Sequence, residues 1–202
     1  MNNSRPPRAA SVERSTKETQ IRLDLELDGA GQAEISTGVG FFDHMLDLLA
    51  RHARMNLNVS ANGDLETGSH HTVEDTGIAL GQALDEALGD RAGIRRYGSA
   101  TVPMDESLAE CAIDISGRPY CHFDADLPTT SIAGFDTELA EEFFRAVANS
   151  AKLTLHVNVP YGTNAHHMIE ASFKAFARAL RVAVSIDPEE SGVPSTKGTL
   201  SE

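Results

Sequence analysis

The sequence predicts an α+β fold built from two similar halves. Apolar and polar residues alternate along residues 21–27 and again along 111–115, as they do in strands with one buried face. Each alternating stretch is followed by a helical pattern, a short strand and a longer helix rich in Ala and Leu. Because this order is the same in both parts of the chain, we expect an internal duplication of two β-β-α-β-α halves.

Turn residues follow each alternating stretch, so both halves are predicted to open with a hairpin. The first hairpin, within residues 20–36, turns at 28–31, and the second, within 109–124, turns at 116–119. Apolar residues spaced by three and four then predict the later elements. These are helices at 41–53 and 139–151, short strands at 57–60 and 153–159, and closing helices at about 72–88 and 168–185.

Residue types repeat between the halves at nearly constant offsets. An offset of 96, as from His70 to His166, superposes seven identical residue types in the closing helices, and an offset of 98 superposes four more upstream, as from Leu57 to Leu155. A loop can absorb the change of two residues. We therefore expect two sheets with helices on one face, packed through those helices around a buried seam.

Composition and charge exclude several classes of function. The 202 residues carry a formal net charge of −13, and nucleic-acid binding would need a field of Lys and Arg that this chain lacks. No apolar run reaches the roughly 18 to 20 residues that span a bilayer, and residues 1–15 lack the apolar core of a signal peptide. We expect a cytoplasmic protein without nucleic-acid or membrane partners, in which Cys111 and Cys121 are reduced.

Two His-His-x-x-Glu clusters carry the main chemical signal. They are His70, His71 and Glu74 in the first half and His166, His167 and Glu170 in the second. Residues at i, i+3 and i+4 share a helix face, so each cluster can direct imidazoles and a carboxylate toward one point. Adjacent histidines diverge by about 100°, so each pair should serve two metal ions. The alternative is that these groups are solvated or capping residues at polar helix N-termini.

The duplication adds one upstream ligand to each cluster. The offset of 98 places His44 on Glu142, which brings the candidate ligands to eight for two ions and leaves open positions for substrate or water. The absence of a nearby cysteine argues against structural zinc or an iron–sulfur cluster, whereas mixed imidazole and carboxylate ligation suits manganese, iron or zinc. His52, His122 and His156 have no repeated partner and are predicted to be structural or surface groups.

Cations and hydroxyl groups near the predicted metal helices indicate an anionic substrate. The candidates are Arg96, Arg118, Lys174, Ser195 and Lys197. Each has an ordinary alternative, with Arg118 as a turn residue, Lys174 as a solvated helical residue and the C-terminal residues as a disordered tail. The sequence contains no P-loop and no Gly-rich dinucleotide motif, so no nucleotide cofactor is predicted.

Five motifs together resemble the imidazoleglycerol-phosphate dehydratases. They are FDHM at 42–45, HHTVED at 70–75, GRPY at 117–120, HHMIEA at 166–171 and PSTKG at 194–198. The resemblance covers nearly the whole chain from about residue 12. It implies metal-dependent dehydration of D-erythro-imidazoleglycerol phosphate to imidazole-acetol phosphate in histidine biosynthesis, through a metal-bound imidazolate and a diazafulvene-like intermediate and without a redox cofactor.

The resemblance also implies a role for each candidate residue. It implies two divalent ions, most often Mn²⁺, one held by His44, His71, Glu74 and His167 and the other by His70, Glu142, His166 and Glu170. Some members carry His where this chain has Glu142, so we expect an altered affinity there. Glu170 is the implied base and Glu18 the acid or base at the departing hydroxyl, while Arg96, Arg118, Lys174, Ser195 and Lys197 would hold the phosphate.

At the level of the whole chain, the resemblance implies a ribosomal protein S5 domain 2-like fold and assembly. Members form homo-oligomeric shells of cubic symmetry, typically with 24 subunits and with active sites shared between neighbours. We expect a flexible N-terminus at 1–12, a single catalytic domain at 13–187 with half-repeats at about 13–92 and 93–187, and a substrate-binding tail at 188–202.

Two other functions could use similar ligands. A two-metal phosphoesterase or peptidase would activate water, but such enzymes usually take several Asp ligands from strand ends, whereas the ligands here start helices and are mostly His. A di-metal storage bundle would need Glu-x-x-His on four long helices, and the predicted strands contradict an all-α fold.

Overall fold

Two four-stranded sheets, each covered on one face by two helices, form the protein in a computed structural model that describes residues 7–200. The first half contains β1 (Ala9–Ser15), β2 (Thr19–Glu26), β3 (Ala33–Ser36), α1 (Gly40–Ala53), β4 (Asn56–Gly63) and α2 (His70–Leu88). The second contains β5 (Tyr97–Met104), β6 (Ser107–Asp114), β7 (Tyr120–Ala125), the short strands β8 (Ser131–Ile132) and β9 (Phe135–Asp136), α3 (Leu139–Ala151), β10 (Thr154–Tyr161) and α4 (Ala165–Val184). The duplicated α+β architecture and its predicted helices are therefore confirmed.

The two predicted hairpins, at 20–36 and 109–124, are wrong. The sheet orders are β1-β2-β4-β3 and β5-β6-β10-β7, so a later strand separates the two strands of each predicted hairpin. β3 and β7 pair in parallel with β4 and β10, a connection that needs the crossover helices α1 and α3. Alternating hydrophobicity identified these strands but not their partners, because it specifies which face is buried and not which edge is paired.

Each half begins with an edge strand that was not predicted, and the second half also contains the short unpredicted strands β8 and β9. β1 and β5 lie at the sheet edges and form antiparallel hairpins with β2 and β6. Residues 9–12, predicted to be flexible, are part of β1, whereas residues 1–6 and 201–202 lie outside the described range. The prediction failed here because an edge strand with one solvated face can be largely polar and still be held by its ladder of hydrogen bonds.

The helices of the two halves meet in one hydrophobic core. α2 packs on α3 and α1 on α4, as the predicted seam requires. The ring of Phe143 lies 5.4 Å from that of Phe42 and 5.0 Å from that of Phe173, so it joins α3 to helices of both halves. A Cβ atom added at Gly81 would lie 2.7 Å from the carbonyl oxygen of Val147, which shows how closely α2 approaches α3.

The repeat extends to the helix ends. α1 and α3 both terminate on a residue in the left-handed region, Arg54 (φ 57°) and Lys152 (φ 55°), which are 98 positions apart. Cys111 and Cys121 are free thiols, and burial raises the pKa of Cys121 to about 11. In the described part of the chain, no helix combines the length and apolar character needed to cross a bilayer.

Candidate metal centre and substrate-binding residues

His44, His166 and Glu170 meet where α1 lies beside the first turns of α4. The Oε2 atom of Glu170 is 3.0 Å from Nε2 of His166 and 3.5 Å from Nε2 of His44. One ligand atom of each residue lies within 4.8 Å of the others, and no other His, Cys, Asp or Glu trio within residues 7–200 closes in this way. We refer to these three residues as the His44 cluster, and their donor types suit a divalent metal. The resemblance assigns His44 to one ion and His166 and Glu170 to the other, so within one chain the structure groups them differently from the implied ligand sets.

Glu170 is a nearly buried carboxylate surrounded by basic groups. Its side chain is 8% exposed, and Nζ of Lys174 approaches Oε1 to 2.6 Å. Burial opposes ionisation of Glu170, but hydrogen bonds from Lys174 and His166 outweigh it and lower the pKa of the carboxyl below its usual value. Glu170 is therefore ionised near neutral pH, as a metal ligand or a general base must be.

The second histidine of each pair points away from the first. The ring centroids of His70 and His71 are 5.9 Å apart with an interplanar angle of 88°, and those of His166 and His167 are 6.0 Å apart at 82°. This is the divergence expected of neighbours on a helix. His71 and His167 consequently face the loops at the strand ends, away from the His44 cluster.

A carboxylate holds the Nδ1 atom of each outward-facing histidine. Nδ1 of His71 lies 3.1 Å from both oxygens of Asp64, and Nδ1 of His167 lies 2.7 Å from Oε2 of Glu106. The hydrogen bond with the carboxylate is the main cause that raises the pKa of each imidazole. With its proton on Nδ1, a neutral ring leaves Nε2 unprotonated, so both histidines present Nε2 as a candidate metal ligand.

Glu18 lies beside one of these outward histidines, in the turn between β1 and β2. Its Oε1 atom is 3.8 Å from Nε2 of His71, and its side chain is 54% exposed. Glu106 occupies the matching turn between β5 and β6 but accepts hydrogen bonds from Nδ1 of His167 and the backbone N–H of Asn164. The two matching glutamates therefore differ, since Glu106 is fixed in a network and Glu18 is the more accessible.

The set that matches the His44 cluster by the repeat is His70, Glu74 and Glu142, and it is more open. Nε2 of His70 lies 3.8 Å from Oε2 of Glu74, while Glu142 accepts a hydrogen bond of 2.9 Å from Arg145. These three residues do not converge as the His44 cluster does in the described chain. A metal at this position would need Glu142 to exchange Arg145 for the ion, or a ligand from another subunit.

The helix-capping alternative does not account for the histidine pairs. The cap of α4 is Asn164, whose Oδ1 accepts from the backbone N–H of His166 at 3.0 Å and of His167 at 3.4 Å. At α2 the preceding residue, Ser69, donates its hydroxyl to the carbonyl of Gly134 instead. The imidazoles therefore do not cap the helices, and they project from the first turns of α2 and α4.

The predicted phosphate-binding residues divide between the middle and the C-terminal end of α4. Lys174 lies one turn after Glu170, whereas Arg96 donates its backbone N–H to the carbonyl of Ala183 and its side chain to Asp114 and the carbonyl of Pro194. At 1.5 Å per residue, Glu170 and Ala183 are about 20 Å apart along the helix. A single chain therefore does not bring Arg96 to the His44 cluster.

The tail and Arg118 lie with Arg96 at the far end of α4. The carbonyl of Arg96 accepts the N–H of Ile115, which leads into the turn that carries Arg118. Within the tail, the hydroxyl of Ser195 accepts the backbone N–H of Lys197 at 3.2 Å. These residues form a cationic group separate from Lys174 in one chain.

Sequence reasoning missed Asp64, Glu106 and Arg91. Asp64 and Glu106 orient His71 and His167, and the nearly buried Arg91 donates to Asp85 and to the carbonyl of Leu200. No local pattern marks them, because Glu106 and Arg91 meet partners 61 and 109 positions away.

The three unrepeated histidines take no part in the His44 cluster. His122 and His156 lie side by side on neighbouring strands, β7 and β10, with ring centroids 5.4 Å apart. His52 is half-buried near the end of α1. These positions agree with the structural or surface roles predicted for them.

Known proteins resemble this chain over nearly its full length. The sequence profile of the family described as imidazoleglycerol-phosphate dehydratase matches residues 37–180. Proteins of that name from Geobacter metallireducens and Symbiobacterium thermophilum are 62% and 63% identical over 193 residues, covering 96% of this chain and 99% and 93% of theirs. The crystal structure of imidazoleglycerol-phosphate dehydratase from Staphylococcus aureus is 45% identical with a TM-score of 0.81, covering 89% of this chain and 99% of that one.

Proposed function

The chain belongs to the imidazoleglycerol-phosphate dehydratase family, whose members are lyases of histidine biosynthesis, and we propose that it acts through divalent metal ions at sites shared between subunits. The substrate is D-erythro-imidazoleglycerol phosphate and the product is imidazole-acetol phosphate. The observation that carries this proposal is the His44 cluster, where two imidazoles and an ionised carboxylate converge next to Lys174.

The donor groups fit two divalent ions, with Mn²⁺ the favoured metal. The His44 cluster supplies nitrogen and oxygen donors, and His71 and His167 present Nε2 atoms whose rings are fixed by carboxylates. The remaining ligands are His70, Glu74 and Glu142. When bound, such ions polarise substrate groups as Lewis acids.

Proton transfer falls to Glu170 and Glu18. Glu170 accepts the proton from the carbon next to the departing hydroxyl, and Glu18 donates the proton with which that hydroxyl leaves as water. Lys174, 2.6 Å from Glu170, lowers the basicity of the carboxylate in the free enzyme. When Lys174 turns to the substrate phosphate, its hold on Glu170 weakens, so Glu170 becomes a stronger base as substrate binds.

Shared sites would reunite groups that one chain keeps apart. Glu18 and His71 lie together at the β1–β2 turn, Glu170 lies at the start of α4, and Arg96 lies near its end. A homo-oligomer, with 24 subunits as the resemblance implies, could place the outward-facing His71 and His167 of one chain against another chain's His44 cluster. Arg96, Arg118, Ser195 and Lys197 would then join Lys174 around the phosphate.

The direct test is to supply metal-loaded protein with imidazoleglycerol phosphate and follow the ketone product. Glu170→Gln should abolish turnover while retaining substrate binding, and Glu13→Gln, an exposed residue of β1, is the matched control. An active Glu170→Gln variant would remove Glu170 as the base. Release of inorganic phosphate in place of the ketone would support the phosphoesterase alternative.

Mixed assemblies test whether sites are shared. Glu170→Gln and His71→Asn should each be inactive alone, but their co-assembly should recover activity, up to about a quarter of wild type if each site takes these groups from different chains. Each recovered site would combine an intact Glu170 from one chain with an intact His71 from its neighbour. No recovery in a verified mixed assembly would show that each site lies within a single chain.

The proposal includes a location in the cytoplasm. The two free cysteines, Cys111 and Cys121, suit a reducing compartment. Cell fractionation tests this location, and recovery of the protein outside the cytoplasmic fraction would contradict it.

A further inference from the structure

Four arginines surround a small cavity between the end of α1 and the second half of α4. Arg51 and Arg54 come from the last turn and C-cap of α1, and Arg178 and Arg181 come from α4. Together with His52 they account for most of the lining of a cavity of about 290 Å³, which contains no acidic side chain. We call these four residues the arginine cluster, and its position in a chain of net charge −13 calls for an explanation.

The arginine cluster lacks compensating charge within residues 7–200. None of its guanidinium groups forms an ion pair there, whereas Arg8, Arg91 and Arg96 each bind an aspartate. The C-terminal carbonyls of α1 and α4 offset about half a charge each. About three of the four positive charges are left without a partner, so the cavity attracts anions.

The other half of the duplication provides an internal comparison. The residues that match Arg51, Arg54, Arg178 and Arg181 at the offsets of 98 and 96 are Asn149, Lys152, Gln82 and Asp85. There, Nζ of Lys152 binds Asp85 at 2.6 Å, and the set is electrically neutral. The same backbone frame therefore forms without an arginine cluster, so the four arginines are not a requirement of the fold.

His52 reports the local field. Desolvation is the main cause that lowers its pKa, and the positive charges of Lys174, Arg178 and Arg51 lower it further. Desolvation disfavours any charge, but the Coulombic part of this shift reflects the positive charges around the cavity, and these also attract an anion. His52 in its neutral form can also add a hydrogen bond to a bound oxyanion.

We propose that the arginine cluster binds a small, multiply charged oxyanion of the phosphate class. Guanidinium groups match the geometry of phosphate oxygens with paired hydrogen bonds. At about 290 Å³ the cavity is slightly smaller than the roughly 300–1,000 Å³ typical of sites for drug-sized ligands. Among the described residues that line the cavity, Ala30 alone has an apolar side chain. The cavity therefore suits inorganic phosphate or a terminal phosphoryl group better than an organic scaffold.

This site is distinct from the proposed substrate-phosphate residues. The cavity lining includes neither Lys174 nor Arg96, and Arg178 lies one turn beyond Lys174 on α4. Phosphate bound here would not occupy the His44 cluster. The inference goes beyond the proposed dehydratase activity and does not depend on it.

Phosphate titration by calorimetry on the full-length protein tests the site. Inorganic phosphate should bind to wild type saturably. Arg181→Asp places an aspartate where the other half has Asp85, the partner of Lys152. This variant should bind phosphate at least about tenfold more weakly, the loss expected for a reversed charge at an arginine–oxyanion contact. The double variant Arg51→Gln with Arg178→Gln should weaken phosphate binding similarly. Both residues are exposed, so their replacement should leave the fold intact. Arg22→Gln, 68% exposed and remote in sequence, is the matched control and should bind as wild type.

Three outcomes would overturn the proposal. The first is that Arg181→Asp and the double variant bind phosphate as tightly as wild type does. The second is that Arg22→Gln loses as much phosphate affinity as those variants, which would indicate a general effect of protein charge. Lys197→Gln could abolish all phosphate binding, which would assign the anion to the substrate residues. Dehydratase activity, measured separately, decides the proposed function, so failure of one inference is distinguishable from failure of the other.

Discussion

Oε2 of Glu106 lies 2.7 Å from Nδ1 of His167, although the two residues are 61 positions apart. The contact joins the turn between β5 and β6 to the first turn of α4. Asp64 holds His71 in the same way in the other half. Both carboxylates orient a histidine whose Nε2 atom faces outward, so the quality of the proposed metal sites depends on contacts between distant segments.

Replacing Glu106 with Gln should weaken metal binding without removing a ligand. Loss of a carboxylate that orients a metal-binding histidine typically costs about 10- to 100-fold in affinity. Metal titration of Glu106→Gln measures the effect, with Glu110→Gln, an exposed glutamate of β6, as the control. Equal metal affinity in wild type and Glu106→Gln would show that Glu106 does not orient a ligand.

The same pair should leave a pH signature in the stability of metal-free protein. The pKa of Glu106 is lowered from 4.5, so its contribution is present above pH 4.5 and is lost as pH falls through the lowered value. The pKa of His167 is raised from 6.5, so its contribution is present below pH 6.5 and is lost as pH rises through the raised value. The free energy of unfolding of wild type should exceed that of Glu106→Gln most between about pH 4.5 and 6.5. A difference that does not change with pH would contradict the assigned ion pair.

Glu142 should affect metal content differently according to the replacement. Glu142 matches His44 by the repeat and is proposed as a metal ligand. Glu142→Ala should therefore lower the bound metal from about two ions per chain to about one. Glu142→His supplies another ligand atom and should retain both ions. Elemental analysis of purified protein gives the count. Glu141→Ala removes the neighbouring carboxylate, which binds the same Arg145, and controls for loss of that ion pair. Full occupancy in Glu142→Ala would remove Glu142 from the ligand set.

A methyl group added at Gly81 should destabilise the seam between the halves. Its Cβ would lie 2.6 Å from Cβ of Ser150 and 2.7 Å from the carbonyl oxygen of Val147, so α2 and α3 must separate. Overpacking of this kind costs about 1–3 kcal/mol, which should exceed the roughly 1 kcal/mol that Ala gains over Gly in a helix. Gly40→Ala, with nothing within 4 Å of the added Cβ, should be neutral or stabilising. Denaturant unfolding compares the two, and equal stabilities would contradict the close approach.

Arg91 should control the end of the tail. Its side chain is 1% exposed and donates to Asp85 and to the carbonyl of Leu200. Arg91→Met should release the tail to carboxypeptidase and lower the free energy of unfolding by about 1–3 kcal/mol, since Asp85 retains Lys152 as a partner. Arg95→Met is the control because Arg95 follows in the same segment without binding the tail end. Digestion at the wild-type rate in Arg91→Met would show that another contact anchors the tail.

The sequence by itself determined the duplication, the helices and the residue types at the candidate metal-binding positions. Periodicity and repeated residues are local properties, so the helices at 40–53 and 139–151 and the first turns at His70 and His166 follow directly from them. The divergence of His166 and His167 also follows, because it depends on helix geometry alone.

Tertiary structure alone decided which strands pair and which groups meet. Hydrophobic alternation marked β2 and β3 as strands, but the crossover through α1 placed β4 between them. Helix packing brought His44 to Glu170, 126 positions away, and separated Arg96 from both. The arginine cluster likewise forms only in three dimensions, where the end of α1 meets the second half of α4. The sequence did not indicate it, because electrostatic fields depend on distance in space and not on distance along the chain.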